Sequence, residues 1–411
     1  MPRSARHLFA AAFLLIASPA FAVSYKVIHD FSGAGDGRYP LGDLVVDTKG
    51  RLYGTTYGGN PNADGDVFSL TPPAKGSKKW TEKILHAFGG GGDGAGPQGG
   101  VLLGPSGELY GTTSFGGTYH YGTVFRLDEV SGNWVLTPLH QFKNPDIPND
   151  GGGPLEGLAF GPDGNLYGTT YDGGDANEGT VFSVSPLGDT AEYAVLHSFG
   201  IESDGQLPYP GRLGIDRKGD LFGTTYFGGP NGHGIAYRLS PPTKKGWKET
   251  ILRSFEGGPS DVSNPPHGIA LGEGNVIYGC ASGGANDMGA VYALTPPPRG
   301  SKIWGETILY NFGGQPNDPA VSFNCGVAID PSGRIFGTAS GGGEFGLGAF
   351  FELDPPTDSG AAWTETVLHN FGDGADGQSP VSPPVKWKKI WYGATSAGGA
   401  NGAGVAYQIK P

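Results

Sequence analysis

Three polar side chains with complementary chemistry recur at nearly equal intervals: Glu156, Arg212 and His267. Each precedes a short apolar run of the kind that forms a strand. A carboxylate, a permanently charged guanidinium and a titratable imidazole in one place could hold an acidic or polyhydroxylated ligand. They could also run acid–base chemistry. His120 and His233, from glycine-rich loops, are candidates to join them. The competing reading is that isolated polar residues on variable loops are simply solvated. The sequence has no nucleophile elbow, phosphate-binding loop, dinucleotide fingerprint or His-Glu-x-x-His pair, so the catalytic residues stay unassigned. No Cys/His spacing suits zinc, and neither a metal nor a cofactor is expected.

Other candidates occur once per repeat, which argues for scaffold rather than chemistry. His29, His86, His140, His197 and His369 share one position, with Arg253 and Tyr310 standing there in two further copies. Metal ligation would need these histidines together, whereas the repeat spreads them apart. Asp36, Asp93, Asp150, Asp204, Asp261, Asp318 and Asp376 form a second set. One carboxylate per repeat is a poor calcium site; an aspartate that accepts backbone amides and fixes a turn is the expected role. Trp80, Trp247, Trp304 and Trp363 follow Pro-rich loops and are expected to pack between repeats.

The elements that must position these groups are seven copies of one unit. Leu52-Tyr53-Gly54-Thr55-Thr56 recurs, with variations, at 109, 166, 221, 277, 335 and 391. A second marker, mostly Leu-His-x-Phe, ends in Phe31, Phe88, Phe142, Phe199, Phe255, Phe312 and Phe371. Each unit holds four short runs of strand character separated by turn residues. Four strands per repeat of about 56 residues predict an all-β, seven-bladed β-propeller spanning 23–411. The phase of the repeat predicts how the ring closes. The chain opens on a fourth-strand run, Tyr25 to Phe31, and ends on a third-strand run, Val405 to Ile409, so the N-terminal strand must complete the last blade. Glycine inside the second strand weakens it unless a neighbour needs the space, and the expected neighbour is either a closely approaching blade or a packed aromatic ring.

Of 411 residues, 77 are Gly and 34 Pro, a density that signals disorder only when aperiodic. Arg3 and Arg6, the apolar run from Leu8 to Ala17, and Ala20-Phe21-Ala22 read as a signal peptide over 1–22. Its removal leaves 25 basic and 39 acidic residues, a formal net charge of −14. That charge opposes binding to nucleic acid. No later stretch is apolar and long enough for a membrane helix. The expected product is a monomer in the periplasm or outside the cell. Cys280 and Cys325 fall in consecutive repeats. They form either a disulfide across a blade interface, which export permits, or two separate buried thiols.

The spaced Tyr-Gly-Thr-Thr, Gly-Gly, Gly-Thr-Val-Phe and Leu-His-x-Phe motifs resemble the GloVer repeats, named for Gloeobacter and Verrucomicrobia, over essentially the whole expected mature chain. The resemblance implies a bacterial, exported protein but no activity. Members often carry a C-terminal sorting signal; here Tyr407-Gln408-Ile409-Lys410-Pro411 follows the last strand directly, and no anchor is expected. The regular repeats and the lack of a catalytic motif favour a non-catalytic binding module for a polysaccharide or a cell-surface protein. The alternative is a propeller hydrolase or lyase acting on polysaccharide or lactone substrates. In either case the ligand is expected on the face that carries Glu156, Arg212 and His267, where the loops of different blades stop resembling one another.

Overall fold

The structure, a computed structural model, describes residues 23–59, 62–143, 150–186, 191–200, 203–209, 211–243, 246–358, 360–372 and 375–411. The segment read as a signal peptide lies outside the described residues. Seven antiparallel sheets follow one another along the chain. Blade 1 consists of Val45–Val46, Leu52–Thr56, Asp66–Thr71 and Thr81–Ala87. Blades 2 to 6 repeat the pattern, with second strands Leu109–Thr113, Leu166–Thr170, Leu221–Thr224, Ile277–Gly283 and Ile335–Gly342. Blade 7 has Val385–Trp387, Ile390–Gly398 and Val405–Lys410. Its fourth strand is Ser24–Asp30, which pairs with Val405–Lys410 from Ser24↔Lys410 to Asp30↔Val405. The ring therefore closes with the N-terminal strand as the outermost element of the last blade, where it covers the edge of Val405–Lys410.

The core lies between blades, and the repeated motifs explain it. Each marker phenylalanine is fully buried. Each sets its ring against a third-strand aromatic of the next blade, for example Phe88 on Phe125 at 5.4 Å and Phe371 on Tyr407 at 5.1 Å. Such pairs add about 0.5–1.5 kcal/mol beyond area burial. The strand glycine sits under that same ring: a Cβ at Gly111 would come within 2.5 Å of Phe125 Cζ. The leucine of Leu-His-x-Phe is the extra residue of a β-bulge. In blade 1 the register jumps from Val67↔His86 to Phe68↔Ile84, which leaves Leu85 free to turn into the inter-blade core. Three tryptophans also seal interfaces: Trp80 meets Tyr392, Trp247 meets Tyr167 and Trp304 meets Phe222. Trp363 packs against the cluster around Val327.

The repeated histidines and aspartates form one device. Nε2 of His86, His140 and His369 lies 3.1, 3.1 and 2.7 Å from Asp93, Asp150 and Asp376. His29 and His197 lie 3.4 and 3.3 Å from Asp36 and Asp204. Arg253 and Tyr310 keep the pairing, at 2.6 Å to Asp261 and 3.1 Å to Asp318. The same carboxylates accept backbone amides, such as those of Gly89 and Gly200, and so pin the turn that leads into the next blade. The next blade's fourth strand presents a further group to this pair. Tyr193 stacks on His140 and Tyr25 on His369, both at 3.7 Å. Glu249 approaches His197 at 3.7 Å and Glu306 approaches Arg253 at 2.6 Å.

Cys280 and Cys325 are bonded across the interface of blades 5 and 6, with Cα atoms 5.9 Å apart. Both are buried.

Candidate functional site

The segment leading into each first strand decides what reaches the propeller axis. The aromatic residue of each second strand pairs with a first-strand residue: Val45, Leu102, Ala159, Gly214, Ala270, Ala328 or Val385. Two residues before that partner stand Asp43, Gly100, Gly157, Arg212, Gly268, Gly326 and Pro383. Three before it stand Gly42, Gly99, Glu156, Gly211, His267, Cys325 and Ser382. The two positions do different work, because a one-residue step reverses the direction of a side chain in extended chain.

At the outer position the backbone carbonyl faces the preceding blade. The hydroxyls of Thr55, Thr112, Thr224 and Thr338 donate to the carbonyls of Gly99, Glu156, His267 and Ser382, at 3.0, 2.7, 3.5 and 2.9 Å. The Cys280–Cys325 bond occupies the same place between blades 5 and 6. Glu156 and His267 thus belong to the inter-blade packing, and both are buried. The Glu156 carboxyl lies beside Thr169 and the Gly211 amide, and burial holds it well above the usual carboxylate range. His267 accepts the Gly268 amide on Nδ1 at 2.9 Å. Burial lowers its basicity more than Asp43, 3.9 Å from Nε2, restores it.

At the inner position only Asp43 and Arg212 carry long polar side chains, and they meet. Arg212 Nε lies 3.2 Å from Asp43, and Nη2 donates to the Val101 carbonyl at 2.7 Å. Arg212 therefore crosses the axis from blade 4 to the lead-in segments of blades 1 and 2. Glycine elsewhere allows the lead-ins to touch: a Cβ on Gly100 would fall 2.1 Å from the Asp43 carbonyl oxygen. The space left among these groups amounts to cavities of about 20 and 10 Å³, room for a water at most. The structure brings Glu156, Arg212 and His267 to one place, as a closed knot below the surface. It does not bring in His120 or His233. His120 is exposed on the blade 2 loop, in a left-handed conformation with φ 70°; His233 lies on the blade 4 loop against Gly257.

What this face offers to solvent is aromatic, a feature that a reading centred on polar groups passes over. The residues after the five-residue Leu-Tyr-Gly-Thr-Thr motif and its variants are Tyr57, Ser114-Phe115, Tyr171 and Tyr226-Phe227 in blades 1 to 4, and Ser282, Ser340 and Ser396 in blades 5 to 7. Phe115 is 51% exposed and Phe227 42%, and Tyr39 and Tyr119 beside them are exposed as well. Tyr57 and Phe115 both flank Gly96. Tyr209, from a lead-in, joins Tyr171 at 6.4 Å and Tyr226 at 5.0 Å, and Tyr226 meets Phe227 edge-on at 4.6 Å. Tyrosine and phenylalanine give these blades an amphipathic surface. The signal was present in the sequence as Tyr57, Tyr171 and Tyr226 at a position that is serine in the other four blades, and as Phe115 and Phe227 one residue later.

Among the described residues no helix is long and apolar enough to cross a membrane. The extracellular domains 1–2 of Drosophila Semaphorin 1a superpose with TM-score 0.51 at 10% identity, over 93% of this chain and 88% of that one. This likeness bears on fold alone. A Thermus thermophilus protein named as an oxidoreductase (glucose dehydrogenase) gives TM-score 0.43 at 18% identity, over 84% and 100% of the two chains. A Hadza microbial sialidase gives 0.42 at 14%, over 91% of this chain and 65% of the sialidase. No curated protein matches the sequence. Residues 75–292, more than half of the chain, match the Gloeobacter/Verrucomicrobia repeat, and the chain belongs to that family.

Proposed function

We propose that the protein is an exported, non-catalytic module that binds a polysaccharide across the loop face of blades 1 to 4. The observation that carries the reading is an aromatic arc in which Tyr39, Phe115 and Phe227 are exposed and Tyr57, Tyr171, Tyr209 and Tyr226 are half-buried beside them. Flat aromatic rings stack on the C–H faces of sugars. Asp172, Glu178 and Asn231 lie on the loops of the same blades and supply acceptors and donors for hydroxyl groups. A rigid closed ring holds these loops in place, so little ordering entropy is lost on binding. The buried state of Glu156 and His267 supports binding over hydrolase or lyase chemistry, since neither group is open to a substrate. The N-terminal apolar segment and the disulfide support export to an oxidising compartment.

A glycan array followed by calorimetry on the best ligand tests this. Phe115→Ala and Phe227→Ala together are expected to weaken binding by roughly 5- to 150-fold, at about 0.5–1.5 kcal/mol per stacked ring, without lowering the melting temperature. Binding that survives both changes, or release of new reducing ends from the bound polysaccharide, would overturn the proposal.

A further inference from the structure

The axis is closed on the aromatic face but not on the opposite one. There a cavity of about 800 Å³ opens among the turns that join first and second strands. Its closed end is the Asp43–Arg212 pair, and its walls include Val45, Ile269, Val327, Ile329 and Trp391. The size and apolar lining are those of a small-molecule site. The lining comes from blades 1, 5, 6 and 7 plus Arg212, so the cavity is one-sided, unlike the scaffold around it.

Its mouth is cationic in an acidic chain. Lys386 and Lys388 line it, and Lys389 follows in the same turn. Asp330 is the acidic group there, and it is already taken. It accepts Lys386 Nζ at 3.2 Å, Arg334 Nη2 at 3.1 Å and the Ser332 amide at 2.8 Å. Arg334 also pairs with Glu352. Four cations thus face two carboxylates. At the closed end Arg212 and Asp43 cancel each other. Lys388 is also an outlier of the repeat. The left-handed residue of the corresponding turn is Gly50, Gly107, Gly164, Gly219 or Gly333 in five other blades, and Gly274 with Asn275 in blade 5; in blade 7 it is Lys388, with φ 57°. A lysine in this conformation is disfavoured against glycine, and an ammonium at the mouth is what the departure provides. Lys388 Nζ rests 3.9 Å over the Trp387 ring, and that ring in turn covers Gly50 of blade 1.

We propose that this cavity binds a small amphipathic carboxylate. The apolar body lies along Val45, Ile269, Val327 and Trp391, and the carboxylate sits at the mouth against Lys388 and Lys386. The site is separate from the aromatic face, with the Asp43–Arg212 pair between them.

Calorimetry with decanoate and decanol on the full chain tests the proposal. Decanoate is expected to bind saturably at one site and more tightly than decanol. Lys388→Gly gives the turn its usual residue and should fold at least as well as the parent. It should weaken decanoate by roughly two- to fivefold, the worth of one exposed ion pair, and leave decanol unchanged. Ala328→Trp, which places an indole inside the cavity, should weaken both, with the far-ultraviolet spectrum confirming the fold. Phe115→Ala with Phe227→Ala should leave both unchanged. Absence of saturable decanoate binding, or binding indifferent to Ala328→Trp, overturns the site. Equal affinities for decanoate and decanol in the parent overturn the role of the lysine mouth.

Discussion

Glu365 should destabilise the protein at neutral pH, and replacing it with glutamine should stabilise it. Between blades 4 and 5, Arg253 supplies a cation that touches both Asp261 and Glu306 at 2.6 Å. Between blades 5 and 6 the same place holds Tyr310, whose hydroxyl reaches the two oxygens of Asp318 at 3.1 and 3.2 Å but brings no charge. Glu365 faces this pair with Oε1 buried and unpartnered. Burial first, and the Asp318 charge second, push its carboxyl from 4.5 up to about 7. A value raised in the fold favours the protonated form. Relative to the unfolded chain, stability is therefore fully present below pH 4.5, falls as pH rises toward 7, and is flat above. At about 1.36 kcal/mol per pH unit a wholly dry carboxyl would forfeit roughly 3 kcal/mol at pH 8; partial access to solvent reduces this to about 1–2 kcal/mol. Glu365→Gln should recover that amount at pH 8 and almost nothing at pH 4.5. The assay is urea unfolding of parent and variant at both values. Taking the difference cancels Glu82, Glu249 and Glu306, which burial also lifts to about 7. Equal stabilities at pH 8, or an equal gain at both values, would refute the reasoning. Tyr310→His, which copies the His197 arrangement, should act in the same direction.

Two further outcomes follow from the ring. Replacing Cys280 and Cys325 with alanine opens a link between residues 45 apart and should cost about 2–4 kcal/mol in guanidinium unfolding; unchanged stability would mean that the bond does not form in the folded protein. Deleting residues 23–31 removes the closing strand together with Ile28 and Phe31, both buried. It should cost at least about 5 kcal/mol on burial alone and produce association by light scattering through the exposed edge, whereas a monomer of parental melting temperature would contradict closure by this strand.

The scaffold was readable because each repeated residue has a local cause. The strand glycine, the marker phenylalanine and the turn aspartate each answer to contacts repeated in every blade. The link between His86 and Asp93 was harder to read. Each was expected to be structural, but a bulge at Leu85 and a turn separate them, and only the folded geometry shows that they meet. The lead-in residues were misread by one step. Asp43 and Arg212 stand ten residues before the second-strand aromatic, whereas Glu156, His267 and Cys325 stand eleven before it. That offset is in the sequence, but its meaning depends on which position faces the axis. The expectation that Glu156 and His267 present themselves to solvent gives way to burial between blades for that reason. The apolar cavity had no sequence signal, because its walls are ordinary first-strand residues.

A propeller built from near-identical units must separate two kinds of departure from the repeat. In the first kind the slot is kept and its occupant changes. Histidine, arginine and tyrosine all pair with the same turn aspartate, and threonine or a disulfide ties a second strand to the next lead-in. These substitutions tune the strength and pH response of an interface, and they are largely withdrawn from solvent. The second kind changes what solvent meets: tyrosine where other blades have serine, phenylalanine one residue later, and lysine in a turn where other blades have glycine. The lysine works against the backbone preference of its turn. Glu156, Arg212 and His267 resemble the second kind when read as letters and belong to the first when read as geometry. Burial is the discriminant: it withdraws Glu156 and His267 from solvent and leaves the two surfaces that the knot divides open to it.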